Sequence, residues 1–296
     1  MRFCPYVRYF LFNLLLYKQD IGESRLLANI LFITYSGVLL LKRNRKQDVI
    51  YVHLNEKDRY VLSSGIGFNE FIHALYDSIN HLLLLKHRFD DADFNMHTLL
   101  DYVPHKRVMK LAGEDVTQYG DFCWIDFEEM EGLDEIPGQV LAELLYLGHM
   151  KEPLRAPFYS YLGNRYSYLA LEDGWLNMTY YRDLNDFYHL LSELVPMKLG
   201  LIKPEKSILG IKRRKFYPAV DQHLLLSLKG YMSEGMVISM REMVQNRLRI
   251  EIPMWVIGDY SNMDEMHEEY EKASKRSCDV KLILDKKAQE WKIRSN

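Results

Sequence analysis

Apolar and polar positions change rhythm several times along this chain, and each change marks an element. Residues 26–41, "LLANILFITYSGVLLL", carry no charge between Arg25 and Lys42. A membrane-spanning helix needs about 20 apolar residues, and this run is shorter and is interrupted by Asn29, Thr34, Ser36 and Gly37. Its second half, with Ile33, Thr34, Tyr35 and Val38, favours extended chain. "DVIYVHL" (48–54) and "RYVLSS" (59–64) follow, set off by the polar breaks "KRNRKQ" and "NEKD". Strand, polar turn, strand, polar turn, strand predicts an antiparallel meander over 30–64, with Lys42, Arg43, Arg45 and Lys46 on a solvated hairpin tip. Upstream, "YFLFNLLLY" (9–17) lies behind Arg2 and Arg8 as a secretory segment would, but no small-x-small cleavage site follows it. The expectation is a soluble, cytoplasmic protein with no membrane contact.

Beyond the meander the period becomes helical. Phe68, Phe71, Ile72, Leu75, Ile79, Leu82 and Leu83 share one face, which predicts a helix over 68–87. "GDFCWIDFE" (120–128) alternates as a strand, and 136–150 returns to helix, with Pro137 near its start and Leu141, Leu144, Leu145 and Gly148 on the packed side. Two β-rich runs flank Asp173-Gly174, the pair favoured in tight turns, and predict a hairpin over 165–182. A helix over 183–195 is expected to end at Pro196.

Residues 197–218 are rich in Gly, Pro and Lys and lack a period. They read as a linker between an N-terminal domain (1–200) and a C-terminal one (201–296), a single domain being the alternative. The last third predicts helices over 219–232 and 236–248, a strand over 249–258 and a helix over 262–275. A final hairpin pairs "CDVKLILD" with "EWKIR". Pro253 suggests an edge strand or a bulge. Meanders and hairpins with helices packed on them place the chain in the α+β class.

Composition changes this picture little. The chain has 296 residues, enough for a large core, and its net charge of −3 supplies no general field for nucleic acid. Cys4, Cys123 and Cys278 are odd in number and widely spaced, which fits a reducing compartment and argues against a disulfide scaffold or a cysteine zinc site. The 21 Tyr, many of them between Phe158 and Tyr188, suit either a core with wet edges or an interface.

Candidate chemistry is sparse. Asp91, Asp93 and Asn95 begin like a calcium loop, but Met96 stands where glycine is needed and Tyr102 where a bidentate Glu should close the shell. The Gly-x-Gly at 65–67 is followed by Glu70 in place of the third dinucleotide glycine. The acidic run 126–135 reads as a solvated loop before a helix. No histidine pair has metal spacing, so neither a metal nor a cofactor is expected. Two features remain. Lys212, Arg213, Arg214 and Lys215, followed by Phe216 and Tyr217, combine cations with aromatics. Glu290-Trp291-Lys292 has the E-x-K form, with Asp279 or Asp285 upstream; in Mg-dependent nucleases such a set places carboxylates on a metal and a Lys beside the attacking water. The sequence therefore predicts a non-catalytic protein that binds a protein partner in a regulatory or inhibitory role. Its contacts would be Lys212, Arg213, Arg214, Lys215, Tyr217, Trp175, Tyr180 and Tyr181. Nucleic-acid binding through 211–217, or Mg-dependent cleavage through Asp279, Glu290 and Lys292, is the alternative.

Overall fold

The computed structural model describes residues 48–114, 116, 120, 122–202, 205–206, 212–213 and 215–295. The chain divides into two units, Met1–Arg43 with Lys206–Arg214, and Asn44–Glu205 with Lys215–Asn296. The second holds nearly all the described residues. The predicted first strand of the meander, with its basic tip, and the 9–17 segment lie outside them.

The second unit opens with strands β1 (Val49–Asn55) and β2 (Tyr60–Ser64), the two predicted strands of the meander, paired from Tyr51–Ser64 to Asn55–Tyr60. Gly65 then turns the chain with φ +75°, and a Cβ there would sit 2.0 Å from the Val49 carbonyl oxygen. Only glycine fits such a left-handed, closely approached position.

Helix α1 (Phe68–Leu75) buries Phe68, Phe71, Ile72 and Leu75. Its first turn is closed by Glu70, whose Oε2 accepts the Gly67 N–H at 2.9 Å, and Glu70 also pairs with the buried Lys198. The predicted helix over 68–87 ends here. A 3-10 turn (Tyr76–Ser78) follows, and "HLLLLK" is strand β3 (His81–Lys86). Leu82 and Leu84 pack into the core on one face of the sheet, and Leu83 and Leu85 into that on the other. A strand buried on both faces shows no alternation, so its sequence can be read as a helical stripe.

Next come β4 (Asp93–Asn95), β5 (Leu100–Val103), α2 (His105–Ala112), β6 (Cys123–Phe127), α3 (Glu131–Asp134) and α4 (Gly138–Met150). Gly148 of α4 lets the helix lie directly on β3, since a Cβ there would meet the Leu85 Cβ at 2.7 Å. This rotation exposes Leu145 and leaves Leu141 only half-buried, although both were expected on the packed side.

The Asp-Gly hairpin forms as predicted, from β7 (Tyr166–Leu171) and β8 (Leu176–Tyr181). Helix α5 (Asn185–Ile202) then runs through Pro196 instead of stopping there. Proline cannot donate to the carbonyl four residues back, which is Ser192 O. That oxygen accepts the Val220 N–H at 3.0 Å, and the Ser192 hydroxyl donates to Val220 O. A distant segment supplies the bond the helix lacks.

Short strands β9 (Glu205–Lys206) and β10 (Lys212–Arg213) pair with each other. They precede α6 (Gln222–Ser227) and α7 (Lys229–Ser233). The expected helix over 236–248 is replaced by β11 (Met236–Ser239) and β12 (Val244–Gln245). Strand β13 (Arg249–Val256), helix α8 (Met263–Ala273) and the hairpin β14 (Val280–Asp285) with β15 (Glu290–Ser295) complete the chain as predicted. Asn262 caps α8 by accepting the N–H groups of Asp264 and Glu265.

Among the described residues thirteen strands form one sheet, in the order β15-β14-β13-β11-β1-β2-β8-β7-β6-β3-β5-β4, with β12 beside β13. Among the described residues the ladders of this sheet are antiparallel, and the fold is α+β. Strands from both sides of residue 200 meet where β11 pairs with β1. Pro253 is not on an edge strand. It faces Lys281 of β14 on one side, and on the other it falls between the stretch of β13 paired with β12 (Ile250 and Glu251) and the stretch paired with β11 (from Met254). The missing donor sits at a seam between two neighbours.

One face of the sheet carries the main core under α1, α2, α5, α6 and α7. The opposite face carries two smaller cores, one under α3 and α4 and one under α8. At the β14–β15 end the second face has no helix upon it among the described residues. There β14 alternates buried and half-buried positions, and β15 exposes Glu290, Lys292 and Arg294. No described helix is long and apolar enough to cross a membrane.

Candidate functional site

The cationic–aromatic segment divides at Arg214, which lies outside the described residues. Lys212 and Arg213 supply backbone to β10. Beyond them Lys215 sets its ammonium 5.5 Å from the centre of the Tyr217 ring, and Phe216 is 77% exposed. The segment is tied down by Trp291 of β15, whose indole N–H donates to Pro218 O at 2.8 Å. This tether brings Lys215 towards the β14–β15 turn. Burial first, and then the charge of Lys215, lowers the pKa of Lys286 in that turn. Lys286 also donates from its backbone to Leu248 O (2.8 Å) and from its ammonium to Asn246 O. Lys215, Lys286, Lys287 and Arg247 therefore share the turn-end corner of the sheet, with Lys292 two residues along β15 from Glu290 and Arg294 nearer the far end of the strand.

The predicted aromatic surface on the 165–182 hairpin is corrected. Trp175 is 36% exposed at the turn, but Tyr180 and Tyr181 are buried. Successive strand residues point to opposite faces, and here both faces are covered. Tyr180 packs in the core under α4, and Tyr181 in the core under α1 and α5. Neither can touch a partner without unfolding the hairpin.

The nuclease trio does not converge. Glu290 faces Asp285 at the turn end of the hairpin, whereas Asp279 precedes Val280, which faces Ser295 at the other end. Six residues of strand put about 20 Å between them. Asp279 accepts from Arg276 and from the Val256 N–H, and Asp285 accepts the N–H groups of Lys287 and Ala288. Lys292 faces Ile283.

The other acidic features are structural. Asn95 Oδ1 accepts from the His97 and Thr98 N–H groups and the Thr98 hydroxyl, Asp93 pairs with Arg107, and Asp91 pairs with Lys110. The calcium-like stretch is thus the β4–β5 turn. Among the described residues no group of three or more His, Cys, Asp or Glu could hold a metal ion.

Asp126, read as part of a solvated acidic loop, is instead buried at the end of β6. Its carboxyl accepts the Arg165 and Tyr166 N–H groups at 3.0 and 2.6 Å. Burial pushes its pKa up to about 7, against the lowering effect of those bonds and of the Arg165 charge. Nearby, Asp186 accepts from the Arg165 guanidinium (2.9 Å) and the Tyr166 hydroxyl (3.0 Å). The Tyr166 oxygen lies 2.8 Å from the Ser78 hydroxyl. This is an internal network that locks α5, β6 and β7 together.

The structure adds one surface that the sequence reading omitted. On the β4–β5 hairpin, Phe94, Met96 and Leu99 are 51%, 78% and 66% exposed. The signal was present as apolar residues inside a turn segment, "FNMHTLL", where polar residues are the norm.

Comparison of the chain with protein-family models, with curated proteins and with solved structures returns no match.

Proposed function

We propose that this chain is a non-catalytic protein that binds a protein partner, in a regulatory or inhibitory role. The observation that carries the reading is the β4–β5 hairpin, where three large apolar side chains within six residues are each more than half exposed. Exposed apolar area forfeits roughly 25 cal/mol per Å² relative to burial. A cluster of it on an end strand favours covering by another protein. The polar groups that suggested chemistry support the same reading, because Asp126, Glu70, Asp279 and Asp285 are engaged by backbone or by cations of the fold.

The test places a photo-crosslinking phenylalanine at position 94 in the native cell. A discrete crosslinked protein is expected, with its yield falling at least about tenfold when Met96→Asp and Leu99→Asp are added. Crosslinking that yields no discrete species, or a species indifferent to those changes, would overturn the reading.

A second reading, nucleic-acid binding, is favoured by one observation, the Lys215–Lys286 corner beside exposed Phe216. Filter binding against salt decides it. Retention of an oligonucleotide that weakens steeply with salt and with Lys286→Glu plus Lys287→Glu would support it, and no retention at low salt would remove it.

A further inference from the structure

Strand β15 ends the sheet. Among the described strands it has a single neighbour, β14, so one side of its backbone has no strand partner among them. It is six residues long, about 20 Å of edge, and contains neither proline nor a break in register. Trp291 is buried and Ile293 packs on the core, which holds the strand flat against the body. Between them Lys292 and Arg294 are exposed and form no ion pair among the described residues. At the turn end stand Lys286, Lys287, Arg247 and Lys215, with Phe216 projecting beside them.

Around this edge cations outnumber carboxylates: Asp285 is engaged in capping the turn, and Glu251 of β13 is taken by Arg249 and Lys281, which leaves Glu290 beside Lys292, Arg294 and the turn lysines. The chain as a whole is slightly acidic, so the corner stands against the average field. Charges on an edge strand guard against self-pairing. A predominance of one sign, with Glu290 the one carboxylate on β15 itself, favours a strand of the opposite sign over a second copy of this edge.

We infer that the edge of β15, which has no second strand beside it among the described residues, takes up an extended acidic segment of a partner protein as an added strand. The backbone groups of 290–295 supply the ladder, and Lys292, Arg294 and the Lys286–Lys287 turn pair with carboxylates at alternate positions of the segment. Phe216 covers the end of the added strand. An exposed backbone edge selects polypeptide over nucleic acid, because a phosphodiester chain has no groups spaced to complete a β-ladder. The inference rests on the protein-partner reading above and gives that partner a chemistry.

The experiment titrates the full chain with a fluorescent decapeptide of alternating Asp and Val, with an N-methylated version of it, and with oligo(dT), and follows amide hydrogen exchange. The expected result is that the unmodified peptide binds and slows exchange in 290–295. Lys292→Glu with Arg294→Glu is expected to weaken it at least about tenfold, and N-methylation to abolish it. Peptide binding with no added protection of 290–295, equal binding of the N-methylated peptide, no peptide binding, or tighter binding of oligo(dT) would each overturn the inference. Crosslinking at position 94 is independent of this edge. A crosslinked partner there with no protection at 290–295 removes the β15 site alone, whereas loss of both removes the parent reading as well.

Discussion

Asp126 shows how a single residue can change role once its surroundings are known. In the folded chain its carboxyl holds a proton up to about pH 7, because burial outweighs the two backbone N–H bonds and the Arg165 charge. In the unfolded chain it ionises near 3.8. Between those values the folded state binds the extra proton. The stabilisation is therefore complete below about pH 4, is lost as pH rises to about 7, and stays lost above that. The slope it contributes is at most about 1.4 kcal/mol per pH unit. Asp126→Asn keeps an acceptor for the Tyr166 N–H but has no proton to lose. Urea midpoints at pH 5 and pH 7.5 should differ for the parent chain, with pH 5 the more stable, and the gap should shrink in the variant. An unchanged gap would assign the pH dependence to groups other than Asp126; His81, whose pKa is lowered by burial and by His105, pulls the other way, because its neutral buried form favours the folded chain as pH rises.

At the scale of elements, what the sequence revealed depended on how many faces each element buries. Strands β14 and β15, covered on one face, alternate and were read correctly, as was the Asp-Gly hairpin with its fixed turn chemistry. "HLLLLK" and "MVIS" are buried on both faces, so their side chains carry no period, and both were read as helix. Tyr180 and Tyr181 were assigned to a surface for the same reason, since an assumed open face is in fact covered. Pro196 marked a helix end because no local signal announces that Val220 will satisfy Ser192 O. The candidate site was legible only in part. Lys215 and Lys292 were singled out separately, and their shared corner depends on the Trp291–Pro218 bond. Turn geometry at this scale is open to test. Gly65→Ala forces a Cβ against the Val49 carbonyl at a left-handed φ, in the turn that links β2 to α1. It should cost more than about 2 kcal/mol by denaturant midpoint with the m-value unchanged. A loss below about 0.5 kcal/mol would mean that this turn relaxes freely.

For the molecule as a whole, the decisive joint is that between β1 and β11, from Val49–Ser239 to Val52–Met236. The linker suggested two domains, each with its own core, yet the main core contains Ile50 and Val52 of β1 together with Met236, Ile250, Leu282 and Trp291 from beyond residue 215. Neither side of residue 200 encloses that core alone, and separating them would open β1 and β11 as long apolar edges. The consequence is cooperative unfolding across the linker. The four tryptophans report on it, with Trp124 and Trp175 before the linker and Trp255 and Trp291 after it. Labelled with 5-fluorotryptophan, the resonances of buried Trp124, Trp255 and Trp291 should lose their native shifts at the same urea concentration. If Trp255 and Trp291 melted together ahead of Trp124, the sheet would be two folding units in contact. The β1–β11 ladder would then be an interface rather than part of a shared core.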